Sequence, residues 1–215
     1  MDKEVRIPQQ KRSIEKKEKI VQAAEQLFSR EGYFGVTTAE IAKEAGLSTG
    51  TVYSYFKDKK DIFIADLYTY GDKLIKYLCD ELAEISTQES MKGKGKALDK
   101  DGIMSIVKKL LKVFIKFHDY PKKYHDEIEA LRYMDEDVKN YFSYAQNKMM
   151  TSFAEQFKNF GVVFRREPEQ MLLIFSLLNS IEDEMLFNLT PGVNKDILID
   201  ECASIITNML EITEN

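Results

Sequence analysis

The sequence predicts an all-α protein, with an N-terminal three-helix helix-turn-helix head on a larger helical bundle. Three observations predict it. Apolar residues recur at helical spacing nearly everywhere, while alternating apolar/polar runs and the hairpin dipeptide Asn-Gly are absent. A tight turn, Gly46-Leu47-Ser48, separates two short segments near the N-terminus. Beyond it, long segments with apolar stripes follow one another to the C-terminus.

A first helix is expected over about 13–30, with Ile20, Ala24, Leu27 and Phe28 inward and Gly32 as its stop. Thr37 followed by Glu40 has the spacing of a capping box, so a second helix starts there. It buries Ile41, Ala42 and Ala45 and ends at Gly46. Ser48 can cap a third helix over 48–56. Asp58 caps a long fourth, marked by Phe63, Leu67, Tyr70, Leu74 and Tyr77. The pattern dissolves near Ile85, and the polar stretch 86–102, "STQESMKGKGKALDKDG", is expected to be a loop. Later helices are expected over 103–118, 121–133 (Pro121 in the first turn), 136–160, 168–189 and 195–212.

Composition narrows the function classes. No run of about eighteen apolar residues exists, so no membrane span is expected. The N-terminal "MDKEVRIPQQKR" has no apolar signal core, and Cys79 and Cys202 form no CxxC pair. Both features suit the cytoplasm. Net charge is −5, but its distribution is uneven. Residues 1–60 hold 12 Lys and Arg against 9 Asp and Glu, whereas the remainder holds 19 against 27. A basic end on an acidic body suits a polyanionic partner, although a solvated face explains it too.

The third helix has two faces. At about 100° per residue, Val52 and Phe56 share one side. Gly50 and Ser54 point the other way, flanked by Thr51 and Tyr53. Such a face meets water or a DNA groove. A solvated face is usually filled with Glu, Lys, Gln and Ala, so this composition leans to the groove. Glycine permits close approach to base edges, threonine can bond or touch a thymine methyl, and hydroxyls can reach phosphates. The starts of the second and fourth helices would add free amides and positive dipole ends.

Residues 14–62 resemble the DNA-binding segment of the TetR/AcrR family of bacterial transcriptional regulators. The resemblance rests on "LFSREGY", "TTAEIAKEAG" and "STGTVYSYF" followed by "KDK", in order and correctly spaced. Ile62 departs conservatively from the family's usual leucine. The resemblance implies that Thr38 touches phosphate and that Thr49, Gly50, Thr51 and Ser54 face the major groove. It assigns Tyr53 and Tyr55 to phosphates or edge bases, and Lys59 to a phosphate. It divides the chain into a DNA-binding domain, 1–60, and a helical ligand-binding and dimerisation domain, 61–215.

Two late segments, "MLLIFSLL" at 171–178 and "DILIDECASIITNML" at 196–210, are apolar on most sides and must be covered twice. A second subunit or a central buried position in a monomer would do this. The resemblance implies a homodimer through about 168–189 and 195–212, reading a palindromic double-stranded operator. It also implies a cavity for a small-molecule effector, for which Tyr77, Phe114, Tyr141 and Phe153 are candidate lining residues. The reading is then a sequence-specific regulator, a repressor released by that effector. An all-helical interaction module and a helical enzyme are the alternatives. No cofactor, catalytic residue or metal is expected: there is no phosphate loop or nucleophile–His–acid arrangement, and Pro121 separates His118 from His125. Glu182-Asp183-Glu184 reads as a solvated edge.

Overall fold

The computed structural model describes residues 6–91, 99–118, 120–187 and 189–212, apart from the side chains at 6–10, 88–91 and 212. Among them run α1 (Arg6–Glu31), α2 (Thr38–Glu44), α3 (Thr49–Tyr53), α4 (Lys59–Met91) and α5 (Lys100–Phe117). Then follow α6 (Lys122–Met134), α7 (Glu136–Lys158), α8 (Glu167–Phe187) and α9 (Lys195–Met209). Two-residue strands, β1 (Val162–Val163) and β2 (Glu211–Ile212), pair antiparallel with Val162 opposite Ile212. The fold is all-α, as expected. Strands this short carry no alternation that a sequence pattern could register.

Local chemistry sets the helix starts. Glu40 N donates to Thr37 Oγ1 and Thr37 N to Glu40 Oε2, completing the capping box of α2. Ser48 Oγ accepts from Thr51 N at 3.2 Å, and Asp58 Oδ1 from Asp61 N at 2.9 Å. Asn194 caps α9 through the amides of Asp196 and Ile197. The expected loop over 86–102 is corrected at both ends. Helix α4 continues to Met91, because extending a formed helix fixes few new dihedrals per bond. Helix α5 begins at Lys100, where Asp99 accepts from Gly102 N at 2.9 Å. Residues 92–98 of that stretch lie outside the described residues.

Packing divides the chain into two compact units, Met1–Gly71 with Tyr120–Ser143, and Asp72–Asp119 with Tyr144–Asn215. The helix-turn-helix lies in the first of these units. The core of that unit joins Ile20, Phe28, Ile41, Val52, Ile62 and Phe63, all buried. Phe28, Tyr33 and Phe63 meet ring to ring at 4.8–5.7 Å. Helix α6 adds Tyr124 and Leu131, and its polar side chains grip the turn after α1. Lys123 Nζ donates to Glu31 O, and Glu127 Oε2 accepts from Phe34 N. The second unit buries one apolar cluster drawn from α4, α5, α7, α8 and α9.

In the first unit Tyr141 Oη donates to the Leu67 carbonyl at 2.5 Å. A Cβ at Gly71 would lie 2.5 Å from that same oxygen. Gly71→Ala therefore has to evict a buried, bonded hydroxyl, and this outweighs the helix propensity it gains, about 1 kcal/mol. We expect destabilisation by Gly71→Ala and by Tyr141→Phe singly, and a double variant at least about 1 kcal/mol better than their sum. Additive denaturant midpoints would remove the steric coupling.

Candidate nucleic-acid interface and apolar cavity

Helix α3 is one and a half turns long, and its anchors are those expected: Val52 is 0% exposed and Phe56 5%. Thr49, Gly50, Tyr53 and Ser54 are exposed, and Thr51 and Tyr55 half-buried. The chain leaves the α-helix after Tyr53, so Ser54 and Tyr55 sit in a closing turn rather than on a continuing helical face. Two of the hydroxyls have partners within α3 and its cap. Ser54 Oγ donates to Thr51 O at 2.6 Å, and Thr51 Oγ1 and Ser48 Oγ share a bond of 2.8 Å. Hydroxyls hold two lone pairs, so both keep accepting capacity.

Gly50 is informative for what surrounds it. A Cβ built there meets nothing within 4 Å, and the residue has no positive φ. Neither backbone strain nor internal packing demands glycine at this position.

Thr38, half-buried, opens α2. The capping box uses the amides of Thr37 and Glu40, leaving those of Thr38 and Ala39 without an acceptor among the described residues. The bond from Thr37 holds the Glu40 carboxyl below its usual range. Asp58 and Asp61 similarly occupy the start of α4, which is less free than its sequence suggested.

Lys59 has a role the sequence did not disclose. Its Nζ donates to the carbonyls of Tyr33 and Val36, both at 2.8 Å, and lies 4.3 Å from the Tyr33 ring centre. An ammonium has three donors, so one remains. Burial lowers its pKa from the ordinary lysine value. Its neighbour Lys60 is committed to Asp135 and Asp137, at 3.1 and 2.6 Å.

Helix α1 supplies residues that sequence reasoning passed over. Ser13 Oγ donates to Tyr55 Oη at 3.3 Å, and Lys17 Nζ stands 5.6 Å from the Phe56 ring centre. Lys11, Arg12, Lys16, Lys17 and Lys19 are all exposed. The charge count registered them only as a sum.

The second unit contains a small cavity, partly open to solvent, with about 60 Å³ of room for the centres of water-sized molecules. Fourteen side chains line it, every one apolar. Phe114 and Phe153 are among them. Tyr77 is exposed and packs on Phe117 at 5.3 Å, outside this lining. Tyr141 belongs to the other unit, bonded to Leu67 O. In both cases an aromatic residue at helical spacing serves a different contact.

On α8 Leu172 and Leu173 are half exposed, and on α9 so are Ile197 and Ile205. Burial raises the pKa of Cys79, and that of Cys202 to about 11, so both thiols stay protonated near neutrality. Among the described residues no group of three His, Cys, Asp or Glu side chains could hold a metal, and no helix is long and apolar enough to cross a membrane.

Residues 20–65 match the family model for bacterial regulatory proteins of the tetR family. The HTH-type transcriptional regulator HbdR of Aromatoleum sp. (strain CIB) is 47% identical over 53 residues, 25% of this chain and 23% of that protein. The fatty acid metabolism regulator protein of Bacillus subtilis (strain 168) is 34% identical over 68 residues, 32% of this chain and 35% of that one. These alignments span only about a quarter to a third of the relatives' length. A crystal structure assigned to the TetR family, from Mesorhizobium loti MAFF303099, shares the fold over 94% of this chain and 99% of its own, with a TM-score of 0.72 and 20% identity.

Proposed function

We propose, from the premise that this chain belongs to the TetR/AcrR family of bacterial transcriptional regulators, that it is a sequence-specific DNA-binding repressor released by a small-molecule effector. The observation that carries the reading is the exposed face of α3, where Gly50 stands in open space between hydroxyl-bearing residues. A glycine that the fold does not require suits a surface that something else must approach closely. In this reading Thr49, Gly50, Thr51 and Ser54 meet the major groove. Thr38, Tyr53, Tyr55 and the third donor of Lys59 meet the backbone or edge bases, and Lys17 adds a further phosphate contact. Residues 1–60 serve as the DNA-binding domain and 61–215 as the ligand-binding and dimerisation domain. The protein acts in the cytoplasm, as a homodimer on a palindromic operator, and is not an enzyme.

A mobility shift on the DNA upstream of its own gene, repeated across a salt series, tests the reading. Affinity should fall steeply and log-linearly with salt. Failure to retard any DNA at low salt would leave a helical interaction module as the better account. Lys59→Ala should weaken binding to all sequences alike and reduce the salt slope by about one unit. It should also cost the fold about 1 kcal/mol, since two carbonyls of the turn after α1 lose their donor. A lowered melting temperature with an unchanged slope would make Lys59 a purely internal brace.

A further inference from the structure

We propose that the cavity of the second unit takes an electrically neutral, largely hydrocarbon molecule and discriminates against ions of the same size. The inference deepens the effector reading and rests on it only for the ligand's use.

Three features carry it. First, the wall offers no partner to a charge. Leu111, Phe114, Phe153, Phe157, Ile174 and Phe175 are typical of a lining that holds carbon and one methionine sulfur, with no charged or hydrogen-bonding side chain. The backbone behind it is mostly helical, with its amides and carbonyls already paired. An ion entering there gives up its hydration for nothing, whereas each methylene buried gains about fourfold in affinity. Second, five of the fourteen lining side chains are phenylalanines, and these rings favour flat or flexible apolar bodies. Phenyl faces also attract cations, but weakly against the loss of a hydration shell with no counter-charge present.

Third, the first acid on the same stripe lies beyond the cavity and is already engaged. Met171, Ile174, Phe175 and Leu178 line it from α8, and the stripe continues one turn further to Glu182, a rise of about 6 Å. Glu182 is buried and stands 3.9 Å from His118 Nδ1. The His118 ring packs on Phe114 at 4.4 Å, and its Nδ1 is also 2.9 Å from Phe114 O. Neither Glu182 nor His118 belongs to the lining. The pair is also the group through which an organic cation would be held if the inference is wrong.

The test compares three probes of equal chain length, 1-decanol, decanoate and decyltrimethylammonium, by isothermal titration with the full-length protein and no DNA. Decanol should bind, and both ions at least about tenfold more weakly. Across alkanols from six to twelve carbons, affinity should rise about fourfold per methylene until the cavity is full. Ile174→Phe, which fills the space, should shorten the preferred alkanol, and Leu111→Ala, which enlarges it, should lengthen it. Either variant serves if the other fails to fold. An ion binding as tightly as decanol overturns the proposal, most directly if Glu182→Gln abolishes cation binding. So does the absence of alkanol binding, or a chain-length preference that neither variant moves. Decanol binding that leaves the DNA complex intact supports this inference and counts against effector release instead.

Discussion

Gly50→Leu will fold, melt at or slightly above the temperature of the unaltered protein, and fail to recognise its operator. The two effects have opposite signs because they arise on different sides of α3. Within the protein, a side chain at Gly50 meets nothing within 4 Å and strains no dihedral. Replacing glycine in a helix removes backbone freedom from the unfolded chain and stabilises by up to about 1 kcal/mol. Outside the protein, the added isobutyl group stands where base edges must approach. Binding should then fall to the non-specific level, about 10³-fold or more weaker, while weak salt-dependent association persists. The check pairs a thermal melt with a footprint of the operator. A variant that footprints the same site with equal affinity would show that α3 does not lie close to the bases.

Placing a charge on the half-exposed apolar faces of α8 and α9 should also have a large effect. On the proposed dimer, Leu173→Lys combined with Ile205→Lys will give monomers, visible by sedimentation velocity at micromolar concentration. Both positions are about half exposed, Leu173 at 54% and Ile205 at 45%, so neither change opens the apolar core. In a dimer through these helices, two lysines per subunit would lose their water without acquiring partners. Operator affinity should drop about 10²-fold or more, because the second head no longer binds as a tethered neighbour. If the double variant sediments like the unaltered protein, the dimer uses another surface or does not exist.

The parts of the fold that were legible in the sequence are those written in local chemistry. Thr37 and Glu40, Ser48, and Asp58 announced three helix starts at short range, and each side chain forms the cap its type suggests. Helical spacing placed Val52 and Phe56 inward correctly. What escaped was set by contacts distant along the chain. Lys59 reads as a surface cation until Tyr33 and Val36 are seen 26 and 23 residues away. Glu127 gives no sign of its bond to Phe34, 93 residues earlier. The candidate lining residues divided for the same reason: Phe114 and Phe153 enter the cavity, whereas Tyr141 lends its hydroxyl to Leu67. Aromatic residues at helical spacing say that a face is buried, and leave open what it is buried against. The extension of α4 past Ile85 has another origin, since polar residues of modest propensity follow an existing helix at little expense.

The cavity also bears on volume. Its walls cannot bond water, so its depths count as empty space that the folded chain holds and the unfolded chain does not. Hydrostatic pressure acts against such space, and the volume lost on unfolding grows with it. The unit containing the cavity should therefore yield to compression more readily when the cavity is empty than when it is filled. A molecule seated in the void removes that weakness without adding a single hydrogen bond. Occupancy can then be read by squeezing the protein, with neither DNA nor a label.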